Sequence, residues 1–129
     1  MSKASERGAV AVEFAIVAPV LVMLLLGIME FSRAYNAQAS LSAAAREGVR
    51  VMAITGNQTT AKSAAKTTAV SLKPGLQDAD IVFGTPCPST VSTGTSPQAT
   101  ITITYSLSTL TGIAGPFTLT GKGAMLCGG

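Results

Sequence analysis

A run of almost uninterrupted apolar residues, from residue 9 to residue 29, constrains this chain more than any other feature. An α-helix needs about 20 such residues to cross the hydrocarbon core of a bilayer, so the run predicts a transmembrane helix. One carboxylate, Glu13, lies near the start of the run, and one proline, Pro19, lies near its middle. Because a plain membrane anchor needs no carboxylate, the position of Glu13 requires an explanation of its own.

The rest of the 129-residue chain is long enough for one small domain and is poor in groups that catalysis uses. It has no histidine, which is the commonest general base and metal ligand, so its Ser and Thr side chains lack the usual activating partner. Asp78 and Asp80 precede a predicted strand, where we expect them to be solvated. The nine basic residues are scattered rather than gathered in a stripe. We therefore predict no enzyme, no metal or cofactor site and no nucleic-acid partner.

Charge and cysteine content predict how the chain lies across the membrane. Residues 1–8 are polar and include Lys3 and Arg7, and positive charge before a span favours a cytoplasmic N-terminus. The C-terminal part then lies outside the cytoplasmic membrane, where disulfides persist. A disulfide between Cys87 and Cys127 is the prediction, and two free or metal-binding thiols are the alternative.

The helix is predicted to continue beyond the membrane. Residues 30–55 are rich in good helix formers, and Gly56 followed by Asn57 is a plausible stop. Pro19 predicts a kink, because its ring clashes with the carbonyl of Ala15 and frees a backbone group that a neighbouring helix must satisfy. The extension carries one apolar face at three- and four-residue spacing, suited to cover a sheet. That face consists of Leu41, Ala44, Ala45, Gly48, Val49 and Met52.

Other residues of this helix are candidates for contact with partner helices. Ala11 and Ala15 are small enough to let another helix approach closely, although alanines also simply fill an apolar helix. Arg46, Glu47 and Arg50 lie beyond the span and either pair with partner helices or form an intrahelical pair between Glu47 and Arg50.

The C-terminal half predicts one more helix and then strands. Residues 58–73 predict a polar helix with Lys62, Lys66 and Lys73 on its solvent side, ended by a Pro-Gly pair. Strands are predicted over residues 81–83, 99–107 and 117–126, the second being the clearest because apolar residues alternate with threonine. We therefore predict an α+β fold: a long N-terminal transmembrane helix that extends into a small exported domain with a second short helix and an antiparallel sheet of about three strands.

The N-terminal residues resemble a prepilin-peptidase site. A short basic leader ends in Gly8, four apolar residues follow, and Glu13 and Phe14 then open the main apolar run. In type IV-like pilins such a leader is cut after the glycine on the cytoplasmic side. The resemblance implies cleavage between Gly8 and Ala9, which makes Glu13 the fifth residue of the mature chain.

The sequence is more closely similar to one family. The segments RGAVAVEFAIVAPVL, LLLGIMEFSRAY and AAREGVR resemble the TadE family of the tight-adherence (Tad) pilus system. The C-terminal GAMLCGG, with an earlier Cys-Pro, resembles the cysteine-containing TadE-like proteins of actinobacteria. The resemblance implies a minor pilin, or pseudopilin, in the cytoplasmic membrane or the extracellular pilus. Its implied partners are a prepilin peptidase, other pilins and Tad inner-membrane assembly proteins.

The predicted organisation is a leader over residues 1–8, a span over 9–29, a helical extension over 30–56 and an exported domain over 57–129. Two functions stay open for such a chain. In the first, cleavage frees an α-amine at Ala9, and Glu13 of a neighbouring subunit pairs with that amine at low dielectric and sets the register between helices. In the second, the unprocessed chain anchors a binding or scaffold module of a secretion system, and Glu13 simply reaches water at the membrane interface.

Overall fold

The computed structural model describes residues 3–88, 94 and 97–128. The chain forms two compact units, Met1–Arg33 and Ala34–Gly129, called unit 1 and unit 2 below. One long helix, one short helix and a three-stranded antiparallel sheet confirm the predicted α+β class. In chain order the elements are α1 (Lys3–Thr55), α2 (Gln58–Thr68), a 3₁₀ turn (Asp78–Asp80), β1 (Ile81–Phe83), β2 (Gln98–Leu107) and β3 (Phe117–Leu126).

Helix α1 includes residues 3–8 of the predicted leader, runs through Pro19, and ends at Thr55, next to the predicted stop. It ends there because Gly56 takes a left-handed conformation with φ +65°, which glycine adopts without a steric cost. The Gly56 N–H still donates to the carbonyl of Met52 at 2.9 Å, so one of the last helical carbonyls keeps a partner.

Helix α2 ends at Thr68, five residues before the predicted end at residue 73. Its start is fixed by Asn57, whose Oδ1 accepts the N–H groups of Thr59 and Thr60 at 2.9 and 3.2 Å. Near its end, the hydroxyls of Thr67 and Thr68 each donate at 2.9 Å to the carbonyl four residues back. Such back-bonding weakens a helix, and this β-branched pair explains why the helix stops early.

The sheet has the order β1-β2-β3, and each predicted strand is present to within one residue. Strand β2 pairs with β1 through Ile81 and Ile103 and with β3 through the whole strand, up to Leu107 opposite Phe117. Its alternation is the one expected from the sequence, since every second residue is buried. These core residues are Ala99, Ile101, Ile103, Tyr105 and Leu107.

The core of unit 2 lies between this sheet and the two helices. The predicted apolar face of α1 is the buried one, with all six of its residues enclosed. Small residues bring the elements close together: a Cβ added at Gly121 of β3 would lie 2.6 Å from the carbonyl oxygen of Leu41. A Cβ added at Gly123 would lie 2.7 Å from the carbonyl oxygen of Ala45. Strand β3 therefore rests directly on the backbone of α1.

Candidate functional site

Unit 1 presents an exposed apolar surface along α1. Helix α1 is long and apolar enough to cross a membrane, and none of its most apolar 18-residue stretch is buried. Every large apolar side chain over residues 10–29 is exposed. An exposed apolar surface of this size indicates contact with lipid or with another protein.

The residues of the predicted processing site lie on the exposed surface of α1. Ala9 and Glu13 are four residues apart and therefore lie one turn apart on the same helix face. Phe14 is exposed, and a Cβ added at Gly8 would meet no atom within 4 Å. Across residues 3–88, 94 and 97–128, no ion pair reaches Glu13. The processing and pairing roles of these residues stay predictions.

The predicted packing residues fall in both units. In unit 1, Ala11 and Ala15 are exposed on α1, and Pro19 lies inside the helix. In unit 2, Arg50 Nη1 lies 3.4 Å from Glu47 Oε1, which is the intrahelical pair predicted as one of two alternatives. Exposed pairs of this kind contribute little to stability. The adjacent Arg46 is exposed, and contact of these residues with partner helices stays a prediction.

The predicted disulfide is confirmed. Cys87 and Cys127 are bonded, with their Cα atoms 5.6 Å apart and a separation of 40 positions in sequence. The bond joins the chain after β1 to the end of β3, where the Cys127 N–H also donates to the carbonyl of Pro97 at 2.8 Å. Among the described residues, no group of three or more His, Cys, Asp or Glu is placed to hold a metal ion.

A polar pocket of about 260 Å³ lies beside α2, lined by Gln58, Thr59, Lys62, Ser63, Lys66 and Asp78. Lys66 Nζ forms an ion pair with Asp78 Oδ1 at 2.6 Å, and Lys62 Nζ donates to the Asp78 carbonyl at 3.1 Å. The two lysines therefore bind the 3₁₀ turn rather than only facing solvent as predicted. No local pattern in the sequence indicates the pair of Lys66 and Asp78, because the two residues are 12 positions apart with a turn between them.

The ion pair makes the stability of the folded state depend on pH. The hydrogen bond and the charge of Lys66, followed by the charge of Lys62, lower the pKa of the Asp78 carboxyl. A carboxyl with a lowered pKa stabilises the folded state only while it is ionised. Its contribution is present above about pH 4, the usual pKa of aspartate, and is lost as the pH falls through the lowered value. Because Asp78 is exposed, this contribution is small.

The N-terminal part of the chain is similar to one known family. Residues 8–50 match a family model described as TadE-like protein, which confirms the resemblance predicted from the sequence. The match begins at the predicted cleavage glycine, includes the whole apolar run and ends at Arg50 within α1. It stops before the C-terminal cysteine motif, so the actinobacterial type stays a prediction. No curated protein and no solved structure matches the chain.

Proposed function

We propose that this chain, with its TadE-like segment over residues 8–50 and its membrane-length apolar helix, is a minor pilin or pseudopilin of a Tad/Flp-type pilus. The single observation that carries the proposal is that the TadE-like segment includes the whole exposed apolar surface of α1 over residues 10–29. A helix with this surface resides in a bilayer first and then packs against other apolar helices during assembly. The role is structural rather than enzymatic.

The proposed topology has residues 1–8 in the cytoplasm, one span and an exported C-terminal domain. The disulfide between Cys87 and Cys127 supports an exported domain, because disulfides persist in oxidising compartments and are rare in the cytosol. A prepilin peptidase on the cytoplasmic side removes the leader after Gly8. Other pilins and Tad inner-membrane assembly proteins are the proposed partners.

The proposed assembly step explains the carboxylate in the span. Cleavage leaves a protonated α-amine on Ala9, and Glu13 of the neighbouring subunit approaches it as the helices pack. At low dielectric each of these charges is costly alone, so assembly is favoured when they meet. The pair fixes the axial register between neighbouring helices, which apolar packing alone leaves loosely specified.

Processing is tested by the intact mass of the protein from membranes of cells that contain the peptidase. The wild-type chain is expected to begin at Ala9, and Gly8→Val is expected to keep its leader because the peptidase no longer accepts the site. Gly27→Val is the matched control, since an added Cβ meets no atom within 4 Å at either glycine. A wild-type chain that keeps its leader in such cells would support the unprocessed single-pass anchor instead.

The pairing step is tested by Glu13→Gln, which keeps the size of the side chain and removes its charge. We expect normal membrane insertion but at least about tenfold less incorporation into sheared pili, since losing one partner of a buried ion pair typically costs about 3 kcal/mol or more. Glu6→Gln, another exposed carboxylate of α1 that lies in the removed leader, is the control. Normal incorporation of Glu13→Gln would rule out the pairing step.

A further inference from the structure

The most exposed large apolar side chain in the described part of the protein lies outside the span. Ile113 is 85% exposed in the loop that joins β2 to β3, and Leu110 and Phe117 beside it are 55% and 40% exposed. No residue from 108 to 117 is charged. Surface turns are usually built from polar residues with glycine and proline. Three exposed apolar side chains, two in the loop and one at the start of β3, therefore indicate a contact with an apolar partner.

The position of this loop follows from the way β3 lies along α1 within unit 2. Near the start of β3, the Thr120 carbonyl accepts the side-chain amide of Gln38 at 2.9 Å. Just after the end of β3, the Gly128 N–H donates to the carbonyl of Ala53 at 3.2 Å. The strand and the helix therefore run in the same direction. The loop before β3 lies at the end of unit 2 where the chain enters at Ala34.

The chain that follows α2 returns to the same end of unit 2. The hydroxyl oxygens of Ser71 and Ser40 lie 3.1 Å apart, close to the entry of the chain into the unit. Val70 and Lys73, on either side of Ser71, are both exposed. This end of unit 2 therefore also carries a further apolar side chain and a cation.

We propose that this end of unit 2 rests on the lipid bilayer, with the tip of the loop at Ile113 inserted at the boundary between headgroups and acyl chains. The inference depends on the proposed insertion of the span over residues 9–29. Ala34 follows the end of that span by five residues, which reach at most about 18 Å when fully extended. The end of unit 2 that carries the loop is thus held beside the membrane by the chain itself.

The chemistry of the loop suits a shallow position in the membrane. The Gly112 N–H donates to Thr109 Oγ1 at 3.1 Å, and the Ile113 N–H donates to Thr111 Oγ1 at 3.4 Å. Removing an amide from water costs less free energy when the amide already has a hydrogen bond inside the loop. An irregular loop is still excluded from the hydrocarbon core, so its apolar side chains are expected only about 5–10 Å into the headgroup and acyl boundary. Lys73, at the same end of unit 2, is expected to pair with lipid phosphates.

Introduced tryptophan tests the proposal, because the protein has none of its own. The full chain is reconstituted in vesicles of phosphatidylcholine and phosphatidylglycerol as three single variants. Ile113→Trp reports the loop, and Leu24→Trp reports the span itself. Ile54→Trp is the matched control: Ile54 is 59% exposed and lies at the opposite end of unit 2, beside Ala53. The same introduced side chain at both isoleucines cancels the general preference of tryptophan for membrane interfaces.

The readout is quenching by lipids brominated near the headgroup end of their acyl chains. Ile113→Trp is expected to lose about half of its emission and Ile54→Trp less than about a tenth, given an interfacial depth for the loop alone. Quenching of Leu24→Trp without any difference between the two isoleucine variants overturns the proposal and leaves membrane insertion intact. Absence of quenching in Leu24→Trp overturns the insertion of the span, and the proposal with it.

Discussion

Cys127→Ser is expected to lower the free energy of unfolding of unit 2 by about 4 kcal/mol, the loop-closure value for a cross-link spanning about 40 residues. The loss is large for a domain of this size, whose total stability is of the order of 5–14 kcal/mol. The bond ties Cys87, which follows the end of β1, to Cys127, which follows the end of β3. Hydrogen exchange of the β2 and β3 amides in the detergent-solubilised full chain measures the effect, because these amides report unit 2 and not the span.

The matched variants separate the cross-link from the packing of the two sulfur atoms. Cys87→Ser is expected to lower the free energy of unfolding as much as Cys127→Ser does. The double variant is expected to lower it no further than either single variant, since the same bond is lost in all three. Both cysteines are half-buried against the core, so packing is the competing explanation. If the double variant lost about twice as much stability as either single variant, packing of the sulfur atoms rather than the cross-link would account for the destabilisation.

Local patterns in the sequence account for much of unit 2. The alternation of Ile101 and Ile103 with threonine predicted β2 because a half-buried strand imposes a period of two on its residues. The three- and four-residue spacing from Leu41 to Met52 likewise predicted which face of α1 is buried. The disulfide followed from compartment and cysteine count. Each of these inferences needs only residues that are close together in sequence, or one property of the whole chain such as its compartment.

Features that depend on contacts between distant segments were not predictable in this way. The Tyr105 hydroxyl donates to the Pro74 carbonyl at 2.9 Å, across 31 residues, and Lys66 binds Asp78 across a turn. The early end of α2 depends on which carbonyls its threonines reach. The candidate site shows the same limit more strongly, because the proposed role of Glu13 requires the amine of another subunit. A single chain displays the exposed carboxylate but not the partner that would explain it.

The glycines of β3 are a further case, since glycine normally weakens a strand and here permits its contact with α1. Gly121→Ala is expected to lower the free energy of unfolding of unit 2 by about 3 kcal/mol, because the new Cβ would lie 2.6 Å from the backbone oxygen of Leu41. Leu41 is fully buried, so neither the helix nor the strand can shift without disturbing the core. The measurement is again hydrogen exchange of the β2 and β3 amides.

Two other glycines provide a graded control for this prediction. A Cβ at Gly75 meets no atom within 4 Å, so Gly75→Ala is expected to change stability by no more than about 0.5 kcal/mol. At Gly48 the nearest atom, at 2.8 Å, is the flexible end of Ile101, and alanine is favoured over glycine in a helix by about 1 kcal/mol. The loss of stability in Gly48→Ala should therefore lie between the losses in Gly75→Ala and Gly121→Ala. If Gly121→Ala were no more destabilising than Gly48→Ala, α1 and β3 would have room to separate, and the close backbone contact would not hold the two elements in place.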